Sequence, residues 1–442
     1  MTTTRVGAPT ATPQSTPQRP PVAVIGIGYA GLPLALEAAA AGHPTVGLDI
    51  RAEVVDQVNS GSSHVETVSD ERLRSVAGRF RATLDPQEIV DCSVVVICVP
   101  TPLNEHGVPD LSMVVAAART LSAWLRPGQL VVLESTVQPG CTENMVRPIL
   151  ETTGLTAGVD FNLAFASERV DPGNPSFGVH NTPKVIGGLS GVCLERAAGF
   201  YEPLTGSVHR CAGIREAEAS KMLENTYRMV NVALINEFAR YCLHSGIDVW
   251  DVIEAARTKP FGFTAFQPSA GVGGHCIPVD PQYLAYTARA EGQPLRLVEQ
   301  ARAINEETPL WAVERIVARL RQHGRAVQGA RVLLLGITYK PGVADVRHSP
   351  AMPIVAELWR QGVQVLFHDP QVDTFEVDGR AVPRIDDPVA VATEADATVV
   401  LQRHREYDPG MLARVPRLIS MTGRDPYWSR ASGGGRVASM AG

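Results

Sequence analysis

The sequence predicts an α/β protein: two Rossmann-like domains joined by a central helical domain built on one long helix. Three observations lead there. From Pro21 to about Gly206, short β-branched runs alternate with helical patterns, the sign of parallel strands with crossover helices. After Gly213, about thirty residues (IREAEASKMLENTYRMVNVALINEFARYCL) pass without a helix breaker. From about Arg325, strand runs return as RVLLLGITY, VQVLFHD and ATVVLQ, so a second α/β unit begins there.

Length and composition agree with this reading. At roughly 100–200 residues per domain, 442 residues make two to four domains, and a 45% hydrophobic content is ample for their cores. The formal charge of −6 lacks the basic footprint of a nucleic-acid binder. No membrane span is expected: the charge-free stretch Val22 to Leu36 is shorter than the ~20 apolar residues required and is broken by Gly26, Gly28, Gly31 and Pro33.

Taken in order, residues 1–20 form a Thr-, Pro- and Gln-rich tail, read as a disordered extension without the apolar core of a secretory signal. The first Rossmann-like domain spans 21–206, with strands in VAVIG, PTVGLD, SVVVICVP, QLVVLES, NLAFAS and PKVIGG. The central helical domain spans 207–324 and ends on LRLVEQARAINEETPLWAVERIVARLRQ. The second Rossmann-like domain spans 325–428, and 429–442 reads as a flexible tail. Seven scattered cysteines (92, 98, 141, 193, 211, 242 and 276) include no CxxC pair or zinc spacing, so reduced thiols in the cytoplasm and no metal are expected.

The first strand runs directly into Gly26-Ile27-Gly28-Tyr29-Ala30-Gly31 with a helix after it, the setting a dinucleotide fingerprint requires. Gly26 permits the tight turn, Gly28 lets the pyrophosphate approach the backbone, and Gly31 lets helix and strand pack closely. Asp49 ends the second strand and offers its carboxylate to the ribose hydroxyls, which favours NAD; Arg51 keeps NADP from outright exclusion. Thr101 and Thr136 follow later strands and should face the cofactor at the carboxyl end of the sheet.

On the long helix, Lys221, Asn225 and Arg228 fall at i, i+4 and i+7 and share one face. The Gly-rich loop Gly271-Val272-Gly273-Gly274-His275-Cys276-Ile277-Pro278-Val279-Asp280 sets a cysteine in open, polar surroundings, a candidate nucleophile with His275 or Asp280 beside it as proton handler.

Together GIGYAG, VPTPL, ESTVQPG, ASERVDPGN, KMLENTYR, GVGGHCIPVDP and GITYKPGVADVRHSPA resemble the UDP-glucose/GDP-mannose dehydrogenase family, NAD-dependent nucleotide-sugar 6-dehydrogenases, over about Pro21 to Ser420. The resemblance implies a homodimer or larger homo-oligomer and a UDP-sugar substrate. It matches Cys276 to the nucleophile that captures the C6 aldehyde as a thiohemiacetal and then a thioester. Lys221, Asp280 and a water at Thr136 match the proton-handling groups. Asn225 with Lys221 matches an oxyanion hole, and Glu168 matches the carboxylate of thioester hydrolysis. Lys340 matches a nucleotide-sugar contact, as do Arg169, Phe266 and Gly273 in their motifs, and Arg347 matches a cofactor contact across the cleft. The motifs look closest to the branch acting on UDP-N-acetylglucosamine or UDP-N-acetylmannosamine, since His275, Ile277 and Val279 replace residues usual in UDP-glucose members. Ser269-Ala270 and Pro341-Gly342 depart from that branch too, which leaves UDP-glucose open. The product, a UDP-hexuronate, would feed polysaccharide or glycan assembly. Two other readings stand beside this one. A β-hydroxyacid dehydrogenase would need neither Cys276 nor a second α/β domain, and a non-catalytic nucleotide-sugar binding protein would have no use for the intact Lys221, Cys276 and Asp280 set.

Overall fold

The structure is a computed structural model that describes residues 19–171, 174 and 176–423. Both expected tails lie outside the described residues except for Arg19 and Pro20.

Eight strands form the first sheet: β1 (Val22–Ile25), β2 (Thr45–Leu48), β3 (Phe80–Thr83), β4 (Val94–Ile97), β5 (Leu130–Leu133), β6 (Asn162–Ala166), β7 (Lys184–Gly188) and β8 (Val208–Arg210). They lie in the order β3-β2-β1-β4-β5-β6-β7-β8. The runs VAVI, VVVI and LVVL are buried on both faces, which is why they read as unbroken apolar segments. Apolar layers cover both faces, one from the helix Gly31–Ala40 and the other from residues such as Val114, Leu121 and Met222. Two strands depart from the parallel expectation, because β7 runs antiparallel to β6 and β8 runs parallel to β7. The sheet also continues through β8, past the expected boundary at Gly206.

The long helix, Ile214–His244, packs against the helices Asp280–Ala290 and Arg296–Gln322 and touches β6 and β7. The Arg296–Gln322 helix serves two domains. Its first half packs on the long helix, where Asn305 donates to the Met229 carbonyl at 3.1 Å. Its second half places Ala312, Val313, Ile316, Val317 and Leu320 in the core of the C-terminal domain. That domain carries β9 (Arg331–Leu335), β10 (Gln364–His368), the small hairpin β11 (Glu376–Val377) and β12 (Arg380–Ala381), then β13 (Ala397–Val400) and β14 (Leu418–Ser420). Its parallel sheet has the order β10-β9-β13-β14.

The two α/β domains repeat one device. In the first, Gly26 turns at φ +88° and the Ile27 N–H donates to Asp49 at the end of β2, at 3.3 Å. In the second, Gly336 turns at φ +76° and the Ile337 N–H donates to Asp369 at the end of β10, at 2.7 Å. Asp369 is wholly buried and also meets His404 at 3.1 Å, so it staples its own domain, whereas Asp49 sits at the edge of solvent.

Candidate active site

β1 ends in the glycine turn, and β2, β4, β5 and β6 are followed by Asp49, Thr101, Thr136 and Glu168. A Cβ on Gly26 would stand 2.4 Å from the Cys98 carbonyl oxygen, and one on Gly31 would stand 1.9 Å from the Gly26 oxygen, so both positions demand glycine. Gly28 has nothing within 4 Å, an open approach at the start of the Gly31–Ala40 helix. Such a surface accepts a pyrophosphate on free N–H groups. Asp49 is fixed by the N–H groups of Ile27 and Arg51, at 3.3 and 3.0 Å, and the Arg51 guanidinium lies 3.5 Å away. The open turn and the anchored carboxylate fit NAD, with Tyr29 and Ala30 completing the turn. Thr101 and Thr136 are half-buried just past β4 and β5. Ser135 locks those two strand ends together, donating to the Val99 carbonyl and accepting from its N–H, each at 2.8 Å.

Facing this end, Lys221 and Asn225 are buried on the long helix, and Arg228 reaches solvent. Asn225 Nδ2 donates to Asp280 Oδ2 at 2.5 Å. Asp280 is the first residue of its helix, and burial pushes its carboxyl up to about 6 against the opposing pull of Lys221 and Asn225. The carbonyl of Cys276 accepts the Asp280 N–H at 2.8 Å, so nucleophile and acid are joined by one turn. Burial pushes the Cys276 thiol up to about 11, Asp280 adds to the rise, and Lys221, Arg228 and Arg347 oppose it. Lys221 therefore favours the thiolate, but desolvation outweighs it and the resting group is a thiol.

His275 is not poised as the base of that thiol. Its Nδ1 lies 3.3 Å from an Arg347 nitrogen, and because guanidinium only donates, Nδ1 must accept. The one remaining ring nitrogen then carries the proton. Arg347 itself pairs with Asp345 through several contacts of 2.6 to 3.0 Å and lies over the Tyr29 ring at 5.5 Å. It thus ties the cofactor turn to the cysteine loop. Gly273 serves domain packing in this structure: its Cβ would fall 2.6 Å from Tyr339 Cβ and 2.9 Å from the His348 oxygen. Gly274 donates to the Arg347 carbonyl at 2.9 Å.

The remaining expected contacts lie along the same cleft. Lys340 pairs with Asp171 at 2.5 Å across the domains, Arg169 pairs with Glu224 at 2.8 Å, and Phe266 stacks edge-on with Tyr227 at 5.8 Å. Glu168 sits at the end of β6, accepting the Val170 N–H at 2.5 Å, with Lys184 3.5 Å away.

Sequence reasoning missed two supports. Glu218, buried one turn before Lys221, accepts from the N–H groups of Gly140 and Thr142 at 2.5 and 2.9 Å and from the Thr142 hydroxyl at 2.7 Å. It fastens the loop bearing Thr136 to the helix bearing Lys221. The second is a buried cluster in which Lys184 and Tyr201 both donate to Glu134. A lysine opening the apolar run PKVIGG was its one visible signal. Among the described residues no group of three or more His, Cys, Asp or Glu side chains could hold a metal, no helix is long and apolar enough to cross a membrane, and all seven cysteines are unpaired.

A dinucleotide turn, a second nucleotide-type domain and a buried Lys-Asn-Asp set beside a cysteine define an NAD-dependent dehydrogenase of a nucleotide-borne substrate. Comparison with known proteins is specific. The model of the UDP-glucose/GDP-mannose dehydrogenase family matches in three parts: its NAD binding domain over residues 21–205, its central domain over 215–307 and its UDP binding domain over 333–423. A UDP-N-acetyl-D-mannosamine dehydrogenase from Pyrococcus horikoshii is 37% identical over 397 residues, covering 87% of this chain and 90% of that protein. A UDP-N-acetyl-D-glucosamine 6-dehydrogenase from Pseudomonas aeruginosa is 37% identical over 353 residues, covering 79% and 83%. The solved structure of the P. horikoshii UDP-D-ManNAc dehydrogenase superimposes with a TM-score of 0.82 at 35% identity, over 90% of this chain and 94% of that one. The chain belongs to the UDP-glucose/GDP-mannose dehydrogenase family and is an NAD-dependent nucleotide-sugar 6-dehydrogenase.

Proposed function

We propose that the chain oxidises the C6 hydroxymethyl of a UDP-N-acetylhexosamine to the uronate, four electrons in all, with the sugar held covalently on Cys276 between the two oxidations. The observation that carries this reading is the convergence of Cys276, Asp280 and Asn225, bonded through one turn and one side-chain contact, beside buried Lys221.

NAD bound on the Gly26–Gly31 turn, with Asp49 at its ribose, supplies the hydride acceptor. The chain's residues do the rest. Asp280, ionised above about pH 6, takes the C6 hydroxyl proton directly or through the water at Thr136. Asp280 releases that proton to solvent and takes the Cys276 thiol proton as Sγ bonds to the aldehyde carbon, and the oxyanion that forms is met by the Lys221 ammonium and the Asn225 amide. Removal of the second hydride leaves a thioester, which water hydrolyses with Glu168 taking a proton. Covalent capture keeps the aldehyde from escaping between the two oxidations. Arg169, Phe266 and Lys340 line the sugar-nucleotide side of the cleft in this reading, and Arg347 and Thr101 the cofactor side.

The choice of an N-acetyl sugar rests on the names of the relatives from P. horikoshii and P. aeruginosa, with UDP-glucose as the comparison substrate. A homodimer or larger assembly is supported by a stripe on the long helix. Leu223, Tyr227, Leu234 and Tyr241 fall within about 40° of one another at 100° per residue and are 65%, 50%, 61% and 57% exposed.

NADH yield with UDP-N-acetylglucosamine, UDP-N-acetylmannosamine and UDP-glucose tests the substrate. One of the two N-acetyl sugars should have the highest kcat/KM; UDP-glucose exceeding both would overturn the assignment.

A further inference from the structure

Behind Glu168 lies a buried polar cluster that the chemistry above does not use. Lys184, on β7, donates to Glu134 at the end of β5, and the Tyr201 hydroxyl donates to the other oxygen of the same carboxylate. Glu134 and Tyr201 are inaccessible to solvent and Lys184 is nearly so. Lys184 Nζ also lies 3.5 Å from Glu168 Oε2, so one ammonium serves two carboxylates. Burying such charges is costly unless each is paired, and β5 and β7, which β6 separates in the sheet, need no such link to pack. The groups facing Glu168 are Cys98 from the end of β4, Glu134 from β5, Lys184 from β7, Tyr201 from the helix Gly191–Thr205 and Lys221 from the long helix.

We propose that Lys184 is a positioning residue that holds Glu168 in place and ionised for thioester hydrolysis. The inference rests on the reading of Glu168 as the hydrolytic carboxylate. In that step the water oxygen bonds to the C6 carbonyl carbon while Glu168 takes one water proton. The C–Sγ bond breaks with its electron pair staying on sulfur. The carboxylic acid formed passes its proton to the thiolate, and Glu168 releases its own to solvent, so thioester and water give carboxylate, thiol and one proton. Burial raises the Glu134 carboxyl against the pull of Lys184. Burial also raises Glu168, but Lys184, the hydrogen bond with Glu134, the Val170 N–H and Lys221 outweigh it and bring that carboxyl down, so Glu168 stays a base.

The test compares Lys184→Met, Glu134→Gln and Glu168→Gln in the full-length enzyme. It follows NADH formed in the first turnover, the steady-state rate against pH, and the intact mass of the protein during turnover. Lys184→Met should give a normal first burst of two NADH per active site, then a steady state at least about 10-fold slower. The uronyl adduct should accumulate on Cys276, the acidic limb should move to higher pH, and the KM for the UDP-sugar should stay within about 2-fold. Glu134→Gln, whose amide oxygen can still accept from Lys184, should keep its rate within about 3-fold and its acidic limb in place. Should Lys184→Met not fold, Glu134→Gln still decides: a slowed hydrolysis there, with adduct accumulating, overturns the proposal. Burst and steady state reduced alike in Lys184→Met, with the limb unmoved, also overturns it. Glu168→Gln separates the two readings. If it fails to accumulate adduct, the role of Glu168 falls and the inference with it; if it accumulates adduct and folded Lys184→Met does not, only the role of Lys184 falls.

Discussion

Asn225 on the long helix and Asp280 at the start of another helix meet at 2.5 Å, although 55 residues separate them in the chain. The amide offers only its N–H to the carboxylate, so it favours the ionised form, while burial disfavours it and leaves the group pushed up to about 6. Activity that needs ionised Asp280 should rise with pH through about 6. Asp280→Asn should lower kcat by about 10²- to 10⁴-fold, the usual contribution of a proton-transfer group. Stability runs the other way. The folded state holds this proton more tightly than the unfolded chain, so the group's contribution to folding is fully present below about pH 4 and is lost as pH rises through about 6. A kcat–pH profile beside thermal melts at pH 4 and 8 checks both signs.

The three glycines of the first turn should separate experimentally. At Gly31 an added Cβ meets the Gly26 carbonyl at 1.9 Å, so Gly31→Ala must displace helix from strand, at about 1–3 kcal/mol or more. At Gly28 it meets no protein atom within 4 Å. Gly28→Ala should therefore melt like the parent yet bind NAD at least about 10-fold more weakly, as read by calorimetric titration.

Arg347 touches three domains' worth of structure: Asp345 of its own loop, His275 beside the cysteine and the ring of Tyr29 on the cofactor turn. Lysine cannot reproduce a planar fork that pairs with a carboxylate while lying on a ring. Arg347→Lys should raise the KM for NAD about 10-fold, equivalent to about 1.4 kcal/mol, with a smaller change in the KM for the UDP-sugar. Initial-rate kinetics with each substrate varied in turn would show it.

The exposed stripe of the long helix makes a prediction about assembly. Leu234→Glu puts a charge in the middle of it, which a buried interface would not tolerate. Sedimentation should show the parent as a dimer or larger and the variant shifted towards monomer. An unshifted variant would take the interface away from this face.

Strands buried on both faces were legible because burial imposes an unbroken run of Val, Ile and Leu, as in VVVI and LVVL. The edge strands β3 (FRAT), β8 (VHR) and β14 (LIS) were not, since three or four residues, with Arg or His among them in the first two, carry no periodic signal. The cofactor turn was legible for the opposite reason: its demands are local, and Gly26, Gly28 and Gly31 sit within six residues. The family resemblance put Asn225 and Asp280 in one site but not in contact, because nothing in spacing joins two distant helices. At Gly273 the close approach has a partner within the protein. A glycine-rich loop signals close approach, but the approaching atoms here belong to Tyr339 and His348. Lys184 and Glu134 stayed hidden because each stands at one end of an apolar strand, where a charged residue ordinarily marks the exit to solvent.

Covalent capture by Cys276 is the central claim, and counting NADH per UDP-sugar with the parent and with Cys276→Ser tests it most directly. The account predicts two NADH per sugar for the parent and loss of sustained turnover in the serine variant. One NADH per sugar in the parent, with free aldehyde released, or undiminished turnover of the serine variant, would contradict it.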